Sequence, residues 1–151
     1  MTSPMETPYT DEFFMRQALA EAKRAFEEDE IPVGAVVVCQ NKIIARGYNQ
    51  TERLNDVTAH AEVIAITAAA DYLGAKFLDE CKVYVTLEPC VMCGGALMWA
   101  RPAAVIFGAR DDKRGVGVLQ TRIFHPRTEV IGGVLAEESA ELMREFFKRK
   151  R

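Results

Sequence analysis

The stretch Val85-Thr86-Leu87-Glu88-Pro89-Cys90-Val91-Met92-Cys93 joins the end of an apolar run to a proline and two cysteines. Alternating residues over Lys82–Thr86 predict a strand. Pro89 fits the first turn of a helix, which we place over Pro89–Trp99. Because residues three apart share a helix face, Cys90 and Cys93 should lie side by side. The stretch therefore predicts a strand that leads directly into a helix carrying two thiols.

Strands and helices alternate on both sides of this stretch. Further strands are predicted where apolar and β-branched residues run together, over Val33–Val38, Ile43–Arg46, Ala104–Gly108 and Glu129–Gly133. Asn41 and Lys42 are predicted to turn the chain between the first two of these strands. Further helices are predicted where apolar residues recur at helical spacing, over Asp11–Glu28, Ala59–Leu73 and Ala136–Lys150, the last with Leu142, Met143, Phe146 and Phe147 on its buried side. This alternation predicts an α/β fold of three layers, α/β/α, around a mixed five-stranded sheet.

Length and composition exclude several classes of protein. The 151 residues fit one domain, predicted over residues 10–151 after a flexible leader at 1–9. The longest apolar run, Val33–Cys39, falls far short of the ~18 residues of a membrane helix, so no membrane partner is expected. No export signal is visible over Met1–Phe14, which favours the cytoplasm. In that reducing compartment, clustered cysteines more often bind metal or catalyse reactions than form disulfides.

A histidine turns the cysteine pair into a candidate zinc site. His60 and the two thiols would give zinc three protein ligands and leave a fourth position for water, the arrangement of a catalytic zinc. Three alternatives remain open: a pair of buried, unligated cysteines, a redox dithiol, or a structural zinc with His125 as fourth ligand.

Glu62 follows His60 by two residues and is the candidate acid and base. Residues two apart point in nearly opposite directions on a regular helix, so the two side chains converge only at a helix N-terminus. There Glu62 could take a proton from the metal's water and deliver it to a substrate. A solvated glutamate is the alternative, but the apolar residues Val63–Ile66 that follow favour a buried helix.

The segments His60-Ala61-Glu62 and Pro89-Cys90-Val91-Met92-Cys93 together resemble the H-x-E…P-C-x-x-C signature of zinc nucleobase deaminases. Within that cytidine deaminase-like superfamily the chain resembles the bacterial tRNA adenosine deaminases, over about Phe13–Arg149. The supporting stretches are Ile31–Val36, Thr58–Glu62, Val85–Cys93, Phe107–Asp111, Gly132–Leu135 and Phe146–Phe147. The resemblance implies hydrolytic deamination of a wobble adenosine to inosine in a tRNA anticodon stem-loop.

The resemblance also implies roles for individual residues. It makes His60, Cys90 and Cys93 the ligands of one Zn²⁺ per chain and Glu62 the proton shuttle. The implied substrate contacts are Asn49 to the flipped nucleoside, Ile31 and Val33 as walls of the base pocket, the Ala59 N–H as a donor to the purine, and Asp111 near a neighbouring ribose. A homodimer is implied as well.

One stretch departs from this pattern. Met98-Trp99-Ala100-Arg101 resembles the related guanine deaminases more closely. A deaminase of a free base or nucleoside, such as guanine, is therefore the alternative function, and a non-catalytic zinc-binding module is a third hypothesis.

The charge distribution bears on a nucleic-acid partner. The net charge of −3 argues against binding through the whole-chain charge. Residues 101–151, however, carry 11 basic and 7 acidic side chains, so Arg110, Lys113, Arg114 and the tail Lys148–Arg151 could meet phosphates. The acidic run Glu27–Glu30 is predicted to be a solvated helix end.

Overall fold

The computed structural model describes residues 9–150 and contains four α-helices and five strands within that range. In chain order they are α1 (Asp11–Glu27), β1 (Gly34–Cys39), β2 (Lys42–Tyr48), α2 (Ala61–Leu73), β3 (Cys81–Leu87), α3 (Val91–Ala100), β4 (Ala104–Ala109), β5 (Glu129–Ile131) and α4 (Ala136–Arg149). The predicted leader lies outside the described residues except for Tyr9. Within the described residues, every helix falls short of the length and apolar character needed to cross a membrane.

The strands form one mixed sheet in the order β2-β1-β3-β4-β5. β1 runs antiparallel to both β2 and β3, whereas β4 runs parallel to both β3 and β5. The predicted mixed five-stranded sheet is therefore confirmed.

Alternate side chains of β1 enter two separate cores, because successive residues of a strand point to opposite faces. Ala35 and Val37 pack in a core with residues of α2 and α3. Val36 and Val38 pack on the other face against Phe14 and Met15 of α1 and other residues. The sheet thus lies between two helical layers, as the α/β/α prediction required.

One edge of the sheet gathers the chain segments that carry chemistry. The parallel strands β3 and β4 both end there, so Glu88 and Arg110 follow them at the same edge. β1 runs antiparallel to β3, so it starts at that edge. β2 runs antiparallel to β1, so it ends at the same edge. In open α/β sheets, ligands bind outside the carboxyl ends of the parallel strands.

Two local predictions are wrong. The turn between β1 and β2 is formed by Gln40 and Asn41, with φ of 53° and 62°, and Lys42 already belongs to β2. Both φ values are positive, as in the two-residue turns that match the twist of a hairpin. Phe147 is 43% exposed, whereas Phe146 is buried, because adjacent residues point about 100° apart around a helix.

Gly34 should be intolerant of any side chain, because a Cβ there would overlap the Ala18 carbonyl oxygen and the Ala22 amide nitrogen of α1. These are backbone atoms, so α1 would have to move off the sheet. Gly34→Ala is expected to lower the free energy of unfolding by about 1–3 kcal/mol in urea denaturation.

Gly95→Ala in α3 is the matched control, since a Cβ there meets nothing within 4 Å. It should leave stability unchanged or raise it by up to ~1 kcal/mol through helix propensity. Equal stability of the Gly34 variant and the wild type would contradict the close packing of α1 on β1.

Candidate functional site

Two helices begin side by side at the edge of the sheet described above. His60 is the N-cap of α2 and Cys90 is the N-cap of α3, both with extended backbones. Neither side chain caps its own helix, so both are free to turn toward a common point. Pro89 therefore precedes the helix, and the prediction that it starts the helical turn is wrong. The two thiols still converge, because Cys93 follows the N-cap Cys90 by three residues and so lies in the first turn of α3.

The three donor atoms lie close enough to share one metal ion. Nδ1 of His60 is 3.7 Å from Sγ of Cys90 and 3.5 Å from Sγ of Cys93. All three atoms lie within 4.8 Å of one another. Tetrahedral zinc with its usual bond lengths to nitrogen and sulfur separates such donors by about 3.6 Å. The donor set therefore fits zinc in both chemistry and spacing.

The other histidine is engaged elsewhere. Nδ1 of His125 accepts a hydrogen bond of 3.1 Å from the Arg127 amide. It does not belong to the group of three donors, which is the single cluster of this kind among residues 9–150. Within that range, the cluster leaves a tetrahedral metal one position for a non-protein ligand.

The charges of the cluster also suit a cation. Hydrogen bonds from Cys93, the larger effect, and from His60 lower the pKa of the Cys90 thiol to about 4. The bond to Cys90 and burial in turn raise the pKa of the Cys93 thiol above its usual range. The bond to Cys90 likewise raises the pKa of His60. The cluster therefore holds a thiolate at neutral pH, and thiolates are the form of cysteine that binds metals.

Glu62 lies in the first turn of α2, two residues after the N-cap His60. Its side chain is buried, and the loss of hydration raises its pKa to about 7. The negative charge of Cys90 acts in the same direction, while the charge of His60 opposes it. A carboxyl group with a pKa near neutrality can both accept and return a proton. His60 and Glu62 therefore lie at the start of a helix, as predicted for two side chains that converge on one point.

Three of the predicted substrate contacts meet beside β1 and β2. The Asn49 side-chain amide donates to the Ile31 carbonyl at 3.2 Å, and the Asn49 backbone amide donates to the Val33 carbonyl at 3.0 Å. Asn49 is buried, whereas the Ile31 side chain is 40% exposed. These bonds fix the two predicted wall residues against the predicted nucleoside contact.

The other two predicted contacts flank this group. Ala59 is buried, and its N–H donates to the Asp56 carbonyl at 3.1 Å, so in this structure that donor is already used. Asp111 is half-buried, and its Oδ1 accepts from the amides of Lys113 and Arg114 at 3.1 and 3.0 Å. All five predicted contacts therefore lie on the segments around the sheet edge, and their roles toward a ligand stay predictions.

Sequence reasoning missed two buried carboxylates. Glu30 was predicted to be solvated, yet it is 2% exposed and accepts from the amides of Glu52 and Arg53 at 3.0 and 2.8 Å. Glu88 is also buried, and its carboxylate accepts hydrogen bonds from two backbone amides in the segment after β4. The available signal was position: Glu30 directly precedes Ile31-Pro32, and Glu88 lies between a buried strand and Pro89.

The basic tail contacts the protein itself. Arg149 and Lys150 both pair with Asp29, Arg149 at 3.2 Å. Arg149 also donates to the Phe26 carbonyl. These exposed ion pairs tie the end of α4 to the segment before β1 and contribute little stability. Phosphates that bind this tail, as predicted, would have to compete with these ion pairs to Asp29.

Comparisons with known proteins agree with this geometry. Residues 8–109 match the model of the cytidine and deoxycytidylate deaminase zinc-binding region. A tRNA-specific adenosine deaminase of Agrobacterium fabrum is 46% identical over 143 residues, covering 91% of this chain and 94% of that protein.

Two solved structures are also similar. One comes from a study of A-to-I editing by tRNA:A34 deaminases at the wobble position of transfer RNA, with a TM-score of 0.80 and 44% identity over 85% of this chain and 97% of the other. A guanine deaminase from Bacillus subtilis has a TM-score of 0.64 and 46% identity over 67% of this chain and 65% of the other. With its matched zinc-binding region and its close relatives, the chain belongs to the zinc-dependent cytidine and deoxycytidylate deaminase family.

Proposed function

We propose that this protein deaminates the wobble adenosine of a tRNA anticodon loop to inosine, with one zinc ion per chain held by His60, Cys90 and Cys93. The observation that carries the deaminase chemistry is the buried Glu62 beside a three-donor cluster with one position left for a non-protein ligand. The tRNA substrate is supported by the 46% identity to a tRNA-specific adenosine deaminase over nine-tenths of the chain.

Glu62 carries the protons of the reaction. Zinc in the cluster would supply a Lewis acid that lowers the pKa of water. Glu62 takes a proton from the attacking water and passes it to N1 of the adenine, which makes C6 electrophilic. The water oxygen bonds to C6, and Glu62 then takes the second proton from that oxygen and delivers it to the amino group. The bond from C6 to nitrogen breaks, which releases ammonia and leaves the C6 carbonyl of inosine. A pKa of about 7 lets one carboxyl group carry both protons.

The sheet edge offers surfaces for the rest of the substrate. The half-buried Asp111 and the buried Asn49 lie on segments at this edge, and the resemblance implies that they contact the flipped nucleoside and its neighbour. Lys113 and Arg114 are exposed on the segment after β4, where they could neutralise phosphates. An anticodon loop suits such a site because its bases leave their stack more easily than those of a duplex. A tRNA substrate supports a location in the cytoplasm, which we propose for this protein.

A second candidate is deamination of free guanine. It is favoured by the 46% identity to a guanine deaminase over two-thirds of the chain and by the stretch Met98–Arg101. The two functions share the metal chemistry but differ in the base, adenine attacked at C6 or guanine attacked at C2, and in what surrounds that base.

The two candidates are separated by one assay. We expect the zinc-loaded protein to convert adenosine to inosine in an anticodon stem-loop with adenosine at the wobble position, read by mass spectrometry of the digested RNA. A stem-loop with guanosine at that position is the control for RNA damage. Turnover of free guanine without turnover of the stem-loop would replace the first candidate with the second.

Bound zinc and turnover should respond differently to two substitutions. Glu62→Gln removes the proton carrier but no ligand, so it should keep its zinc and lose at least about a hundredfold in kcat. Cys93→Ala removes a ligand and should lose both zinc and turnover. Elemental analysis of the purified variants gives the zinc content, and the stem-loop assay gives kcat.

His125→Ala is the matched control. Since His125 lies outside the cluster, this variant should keep one zinc per chain and full turnover. Loss of zinc in the His125 variant would favour a structural site with four protein ligands. Substantial turnover in the Glu62 variant would overturn the role of that residue.

A homodimer is proposed from the resemblance and from the surface of α3. Three apolar side chains of this helix are exposed to 37% or more: Val91, Met92 and Trp99, the last at 73%. Trp99→Glu should therefore convert a dimer into a monomer in sedimentation velocity, whereas Trp99→Phe should stay dimeric. A monomeric wild type would contradict the proposal.

A further inference from the structure

The Glu88 carboxylate holds both ends of the segment that follows β4. Its Oε1 accepts from the Asp111 amide at 2.9 Å, and its Oε2 accepts from the Gly117 amide at 2.8 Å. The side chain is only 4% exposed. One carboxylate thus closes residues 111–117 into a loop, which we call the Glu88 loop.

Backbone amides supply nearly all the partners of this buried charge. The nearest cationic group, the Arg110 guanidinium, lies 4.0 Å from Oε2 and is 68% exposed, so it contributes little. Hydrogen bonds to an ionised acceptor are stronger than neutral ones. Removing either bond would leave a buried group without a partner. The geometry of the Glu88 loop therefore depends on the carboxylate more than on any ion pair.

Two glycines let the loop approach this closely. A Cβ on Gly115 would overlap Oε1 of Glu88, and a Cβ on Gly117 would lie 2.6 Å from Oε2. Larger residues at these positions would push the loop away from the carboxylate. The loop sequence and the glutamate are thus matched sterically as well as by hydrogen bonds.

The same loop is bonded to the metal-binding segment. The Val116 amide donates to the Pro89 carbonyl at 2.9 Å, and Gly115 forms a β-bridge with Cys90. Glu88 bonds the two ends of the loop, and Pro89 and Cys90 bond residues inside it. One short stretch of chain, residues 88–90, therefore holds the whole loop. Asp111 is thereby fixed relative to Cys90.

Asp111 opens the loop and fixes its first turn. Its Oδ1 accepts from the amides of Lys113 and Arg114. The loop therefore presents two acidic side chains, Asp111 and Asp112, and two basic ones, Lys113 and Arg114, in a set order beside the candidate metal cluster. Any displacement of the Asp111 amide would move all four.

We infer that Glu88 is a positioning residue for RNA binding, whose carboxylate sets the distance of Asp111, Lys113 and Arg114 from the reacting base. This inference rests on the proposed function. Glu88 touches neither the metal ligands' donor atoms nor, in this role, the substrate. It acts through the loop, so its loss should weaken binding of the stem-loop RNA while leaving the proton transfers of Glu62 in place.

Two variants test this from opposite sides of the contact. Glu88→Gln keeps the size of the side chain but can accept only one of the two amides, because its amide nitrogen is a donor. Gly117→Ala leaves the glutamate intact and pushes the exposed loop off it. Both should raise KM for the stem-loop by about tenfold or more, with kcat near the wild-type value. Both should keep wild-type zinc content and circular dichroism.

Glu21→Gln is the matched control. Glu21 is also a buried glutamate, but it lies on α1 and pairs with Arg24 and Arg46. Its substitution should leave KM unchanged. If Glu88→Gln and Gly117→Ala also leave KM unchanged, while the wild type deaminates the RNA, the positioning role is overturned and the proposed function stands.

Amide hydrogen exchange of the zinc-loaded protein gives a readout independent of activity. In Glu88→Gln, the Asp111 or Gly117 amide should exchange at least about tenfold faster than in the wild type, with the amides of β3 and β4 unchanged. A wild type that deaminates no stem-loop would refute the proposed function and with it the role in RNA binding. Whatever the activity, exchange at the wild-type rate at both the Asp111 and Gly117 amides of Glu88→Gln would show that the Glu88 carboxylate does not hold the loop.

Discussion

The approach of one imidazole to two thiols depends on two helices that start at the same edge of the sheet. α2 and α3 each begin with an extended N-cap residue, His60 and Cys90, and these side chains face each other rather than their own helices. The start of a helix also leaves backbone N–H groups unpaired, which favours nearby negative charge. A thiolate and, beside it, a buried carboxyl group can therefore be held in a small volume.

That volume sets the chemistry of Glu62. Burial alone would make any glutamate a weaker acid, but here the group lies within one helical turn of a candidate metal ligand. Its pKa of about 7 arises mainly from lost hydration, with the neighbouring thiolate adding to the effect. The site thus obtains a proton carrier from position and environment, without a residue type that normally titrates at neutral pH.

Much of the fold and of the candidate centre could be predicted from sequence. Sequence patterns located every α-helix and strand of the described residues to within a few residues, because burial patterns are local in the chain. The spacing of Cys90 and Cys93, with one histidine followed by Glu62, predicted the donor set. Burial could not be predicted for residues whose sequence context suits two environments. Glu30 ends an acidic run typical of a solvated helix end, yet it is buried and accepts hydrogen bonds from the amides of Glu52 and Arg53. Likewise Phe147 is exposed beside the buried Phe146.

The sequence by itself determined which chemical groups are present and which elements carry them, since donor type and periodicity are properties of the chain. Only the tertiary structure decided which of those groups meet. His60 and Cys93 are far apart in sequence yet lie 3.5 Å apart, because the order of strands brings two helix starts together. The hydrogen bonds of Glu88 to Asp111 and Gly117 have the same origin. Parallel strands β3 and β4 end side by side, and a carboxylate at the end of one can bond the loop that follows the other.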